Sequence, residues 1–139
     1  GIAVAVLVLF SVGSRLPSGG QKNLESMVPL TARIGEDEYR LERADTDAAR
    51  QKGLGDRESL CEKCGMLFVF ARADRHAFWM EGMHFPLDII WLAGDTVVFI
   101  ARDVQPDFPD IIRPPVAADR VIEINAGRAA YLNVGDKVR

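Results

Sequence analysis

Cys61 and Cys64, the two cysteines of the chain, stand three residues apart in the run Cys-Glu-Lys-Cys-Gly. Three chemistries suit that spacing. In an oxidising compartment neighbouring thiols most often end as a disulfide, and so short a loop gives only modest entropic stabilisation. A tight Cys-x-x-Cys-Gly turn also aims two thiolates at one zinc ion. Structural zinc takes four ligands, so His76 and His84, or a second copy of the turn in a homodimer, would have to complete the set. A redox dithiol is the third reading. A working one has its first cysteine at a helix N-terminus, whereas this pair leads into a strand-like run.

A second constellation is Trp79-Met80-Glu81 followed by Phe85-Pro86-Leu87-Asp88, with Trp91 beyond. Strand alternation places Ala77 and Trp79 on one face, Phe78 and Met80 on the other. Asp88 heads an apolar strand, where a carboxylate needs partners or a shifted pKa. Aromatic rings beside a carboxylate suit a ligand pocket, which makes Trp79, Met80, Glu81, Phe85, Pro86 and Asp88 the candidate binding residues. The plainer alternative is that the tryptophans pack the core and Asp88 caps a turn. Asp103, Asp107 and Asp110 lie in a Pro-rich stretch and could chelate a hard cation, although loop acids are ordinarily solvated. No nucleophilic triad, phosphate-binding glycine loop or dinucleotide fingerprint can be assembled from the remaining residues.

The elements that must carry these residues are short and β-like. Val28–Ile34 and Tyr39–Ala44 flank Gly35-Glu-Asp-Glu38 and predict a hairpin. Asp45-Thr-Asp47 offers N-caps for a helix over 48–52, which Gly53 closes. Gly65–Phe70, Ala77–Met80, Leu87–Leu92, Thr96–Ala101 and Arg120–Ile124 read as strands, and Ala93-Gly-Asp95 as a turn. Ala126–Leu132 has the length for a helical turn or two, and Val134–Val138 ends the fold. Four of the seven prolines fall between Asp103 and Asp119, which excludes regular pairing there and marks a long, functional or disordered connection. The expected fold is mostly β (α+β): an antiparallel sheet curled into a sandwich or open barrel, with one or two short helices.

Ahead of this domain, Ile2–Phe10 is an unbroken apolar run. It is shorter than the roughly 20 residues that span a bilayer, and it fits the apolar core of a secretory signal. A buried first strand is the alternative. Residues 14–27 are rich in Pro, Gly and polar residues and read as a linker. The chain thus divides into a truncated signal or anchor at 1–13, the linker, and one β-rich domain over 28–139. An extracytoplasmic location follows, with membrane contact through the N-terminal segment only. The 139 residues, net charge of −3 and 48% hydrophobic content describe one globular domain with no electrostatic footprint for nucleic acid.

Gly65-Met-Leu-Phe-Val-Phe70, Phe78-Trp-Met80 and Pro86-Leu-Asp88, taken in order, resemble the signature of the domain-of-unknown-function family numbered 192, found in bacteria and archaea. Gly53-Leu54, Val121-Ile-Glu-Ile124, Ala126-Gly127 and Val134-Gly-Asp136 match its other landmarks. The likeness runs from about Leu30 to the C-terminus. It departs at Gly82 and Met83, where the family often has Asn-Thr. The resemblance implies a β-rich fold, frequent export, and no assigned activity or cofactor. The function expected is a non-enzymatic ligand-binding or envelope-maintenance module. The rivals are a thiol–disulfide enzyme on Cys61 and Cys64, a hydrolase on Asp88, or a purely structural interaction domain whose two cysteines form a disulfide or a zinc knuckle.

Overall fold

A computed structural model describes residues 1–3 and 30–139. The signal or anchor segment from residue 4 on, the linker and the first two residues of the expected hairpin lie outside the described residues. The described elements run β1 (Ile2–Ala3), β2 (Leu30–Ile34), β3 (Asp37–Ala44), α1 (Asp47–Lys52), β4 (Cys64–Asp74), β5 (Phe78–Trp79), β6 (Leu87–Ala93), β7 (Thr96–Val104) and β8 (Ala118–Asn125). The architecture is mostly β. One six-stranded sheet has the order β2-β3-β4-β8-β6-β7, and a two-stranded sheet pairs β1 with β5. The large sheet is not closed into a barrel.

Local chemistry accounts for the connections. The β2–β3 register pairs Ile34 with Asp37, so the turn is Gly35-Glu36, tighter than the four residues the sequence suggests. Gly35 takes φ +63°, and Gly94 takes φ +61° in the equally tight β6–β7 turn. Thr46 caps α1 by accepting from the Ala49 amide, and Gly53 ends it with φ +49°. That short helix lies within the crossover between β3 and β4, which pair in parallel. Residues 126–132 form turns rather than helix, and the C-terminal stretch contributes one isolated bridge, Thr96 to Lys137.

Strand β8 is the last in sequence and sits between β4 and β6. Its residues Val121, Ile122, Glu123 and Ile124 are all buried, because the sheet has a core on each face. One core gathers Met66, Phe68, Ile89, Trp91 and Val121 under Phe78, Met80 and Leu54. The other gathers Tyr39, Leu41, Ile90, Leu92, Ile122 and Ile124 under Ala129 and Leu132. Phe78 anchors the first, meeting Phe68 and Trp91 edge-on at centroid distances of 4.9 and 5.6 Å.

Candidate functional site

Glu123 breaks the apolar run of β8 and is 0% exposed. Cross-strand partners share a face, so Met66 and Ile89 flank its side chain in the first core. Its one close partner is the Gly1 nitrogen, 2.5 Å from Oε1. No other described residue donates a hydrogen bond to either carboxylate oxygen. Burial raises the Glu123 pKa to about 7, against the opposing pull of the Gly1 ammonium.

A groove leads to this carboxylate, and Gly1–Ala3 fill it. Ile2 pairs with Trp79 and Ala3 with Phe78, so the occupant is a strand added antiparallel to β5. The opposite wall is the turn after α1. Gly53 is bare there because a Cβ would run into the Gly1 carbonyl. A Cβ on Gly55 would come within 3.4 Å of Ile2 Cδ1, and one on Gly82 within 3.9 Å. The walls are tied together by the Asp56 amide, which donates to the Gly82 carbonyl at 2.8 Å. Past Ala3 the groove opens into a cavity of about 250 Å³ lined by Arg50, Phe70, Arg75, His76 and Arg113. Those guanidinium groups already donate to the carbonyls of Val69, Pro114 and Arg75, respectively from Arg50, Arg75 and Arg113.

The residues singled out by sequence are distributed differently. Trp79 is 36% exposed on the groove strand, while Met80 is core, Phe85 and Pro86 are half-buried, and Glu81 is exposed. Asp88 is 0% exposed, on the opposite face of the sheet from Glu123. Its Oδ1 accepts from the Asp103 amide at 2.8 Å and its Oδ2 from the Ala129 amide at 2.7 Å. Asp103 belongs to a bulge in β7 and takes φ +51°. Asp88 thus pins a strained strand and the turn that covers the second core, in keeping with the plainer of its two sequence readings.

Cys61 and Cys64 are joined by a disulfide at the entry to β4. The Asn125 side chain at the end of β8 donates to the Leu60 and Cys61 carbonyls, fixing the loop against the sheet. His76 stacks on Phe70 at 3.6 Å, with Nε2 2.9 Å from the Arg72 carbonyl, whereas His84 is exposed. Among the described residues no three His, Cys, Asp or Glu side chains converge on one point. Replacing both cysteines by serine should lower unfolding stability by about 2 kcal/mol, the loop-closure value for so short a ring. Denaturant midpoints of the variant and the oxidised parent would show it, and equal midpoints would make the bridge energetically incidental.

Sequence reasoning passed over Glu123. Its signal was present: a single acid inside Val-Ile-Glu-Ile, a strand apolar on both faces, has nowhere to reach water.

The sequence profile of the family described as DUF192, Uncharacterized ACR, matches residues 30–139. Two solved structures are similar to the chain. One is a protein of unknown function from Novosphingobium aromaticivorans, 32% identical, with TM-score 0.72, covering 87% of this chain and 99% of its own. The other, from Sinorhizobium meliloti, is described as a proposed transcription regulator; it is 26% identical with TM-score 0.72, over 78% of this chain and 89% of its own. No curated protein matches the chain.

Proposed function

The chain belongs to the DUF192 family, and from that premise we propose that it is a non-enzymatic binding module of the cell envelope that takes an extended peptide along β5. The observation that carries this reading is the groove itself, where a short segment is added antiparallel to β5 above the buried Glu123 carboxylate. Backbone pairing supplies affinity in such a mode, and side-chain niches supply selectivity. The apolar run at the N-terminus supports export or tethering. Cleavage of residues 1–13 as a signal would carry Gly1–Ala3 away and leave the groove open to a partner. The partner is then an envelope polypeptide, with membrane contact confined to the N-terminal segment and no cofactor required.

An Ile2→Asp chain tests this reading, because a carboxylate between Gly55 and Gly82, close to Asp56, should evict β1. Titrating that chain with a library of short extended peptides should change the fluorescence of the half-exposed Trp79. Trp79→Ala should abolish the signal, and in calorimetry weaken binding about tenfold. A library in which no member binds even at millimolar concentration would sink the proposal. The relative described as a transcription regulator suggests DNA binding as a second reading. The net charge of −3 argues against it, and retention of duplex DNA at low salt would reverse that judgement.

A further inference from the structure

We propose that the cavity at the open end of the groove holds a carboxylate of the bound peptide, on Arg75 and Arg113. This rests on the peptide-binding reading and names a selectivity of the same site. Three guanidinium groups line a space of about 250 Å³. Arg50 is already matched, its Nη2 donating to Asp47 Oδ1 at 2.6 Å. Arg75 and Arg113 are held by carbonyls instead: Arg75 Nε donates to that of Pro114 at 2.8 Å, and Arg113 Nη1 to that of Arg75 at 3.0 Å. Among the described residues neither forms an ion pair. Asp74, the other acid at the cavity, accepts from the Arg75 amide through Oδ1 at 2.7 Å. Two like charges fixed around one recess repel until an anion enters, and the guanidinium fork matches a carboxylate. The Phe70 ring beside them is already taken, with His76 stacked on it at 3.6 Å and the Arg50 guanidinium carbon 5.4 Å from its centroid. A compact anion therefore fits better than a flat ring.

The Pro-rich connection delivers one of the two arginines. Ile112 exchanges backbone hydrogen bonds of 2.9 and 2.7 Å with Phe78, which ties that connection to β5 and sets Arg113 at the cavity. The same strand fixes the ligand's register. The added segment runs from opposite Trp79 to opposite Phe78, where Ala3 already reaches the cavity wall. One residue further along, the ligand stands opposite Ala77, itself part of that wall. A carboxylate belongs at that position, as an acidic side chain or as a chain end.

The test titrates the Ile2→Asp full chain with four N-acetylated peptides. Two are Gly-Ile-Ala-Glu-Gly amide and its glutamine counterpart; two are Gly-Ile-Ala-Gly with a free or an amidated C-terminus. An advantage of about tenfold for the glutamate peptide marks a side-chain carboxylate, the usual worth of one charge-assisted contact. The same advantage for the free acid marks a chain end. Arg113→Gln should bring the advantage close to one, and Arg113→Lys, which keeps the charge without the fork, should retain part of it. Arg40→Gln, on an exposed arginine of β3, should leave it unchanged. Equal affinities within both pairs would overturn the carboxylate site yet leave the binding module standing. An advantage that survives Arg75→Gln combined with Arg113→Gln would do the same. If no peptide of any sequence binds, the peptide reading fails and this inference falls with it. Should Ile2→Asp fail to fold, the same titrations on Ile2→Ser supply the comparison.

Discussion

Glu123→Gln is expected to remove a fall in stability that the parent protein shows as the pH rises from 5 to 7. The folded carboxyl titrates near 7 and the unfolded one near its ordinary 4.5. Between those values the folded state keeps a proton that the unfolded state releases, so stability declines as pH climbs. The contribution is fully present below about 4.5 and gone once the pH has passed about 7. The shift corresponds to about 3 kcal/mol. Glutamine is nearly isosteric and cannot ionise, so the difference between the two proteins reports the carboxyl group. Chemical denaturation at several pH values would reveal it. Parallel profiles for parent and variant would mean that Glu123 is not desolvated as described.

Asp88→Asn should destabilise the fold by about 3 kcal/mol at neutral pH. The change is nearly isosteric, so packing is preserved and only the acceptor is altered. An amide nitrogen in place of one oxygen confronts a backbone N–H, of either Asp103 or Ala129, with another donor. The orphaned donor is buried if it is that of Ala129 and partly buried if it is that of Asp103, and in the second case the bulge, already at positive φ, loses its clamp. Urea midpoints should drop with little change in slope, and Glu81→Gln, on an exposed residue, should stay within about 0.5 kcal/mol of the parent. A stable Asp88→Asn chain that had lost ligand binding would restore Asp88 to the binding site and refute the structural role given to it.

These two carboxylates show how far the sequence could be read. The hairpin turn at Gly35, the helix between Thr46 and Gly53 and the strands around Trp79 and Trp91 were legible because each is set by local rules of periodicity and capping. Asp88 stood out as an acid at the head of an apolar strand, but its partners lie 15 and 41 residues away and no local pattern names them. Glu123 was written in equally plain view. Its importance depends on β8 being covered on both faces, which follows only from the strand order. The groove was beyond reach for the same reason: its walls come from residues 53–56 and 78–82, its floor from residue 123, and topology alone assembles them. Alternation did correctly turn Trp79 away from Phe78 and Met80, which are buried where Trp79 is half-exposed.

The position of β8 also bears on how the protein comes into being. Strands β4 and β6 do not pair with each other in the large sheet, where β8 lies between them, and β8 begins only at Ala118. A nascent chain therefore carries two separate fragments, β2-β3-β4 and β6-β7, each with an unsatisfied inner edge, until β8 has been made. Non-local pairing of this kind folds slowly. Until β8 arrives those two edges stay open to pairing with any other strand, so the incomplete chain, not the finished sheet, is the species exposed to aggregation.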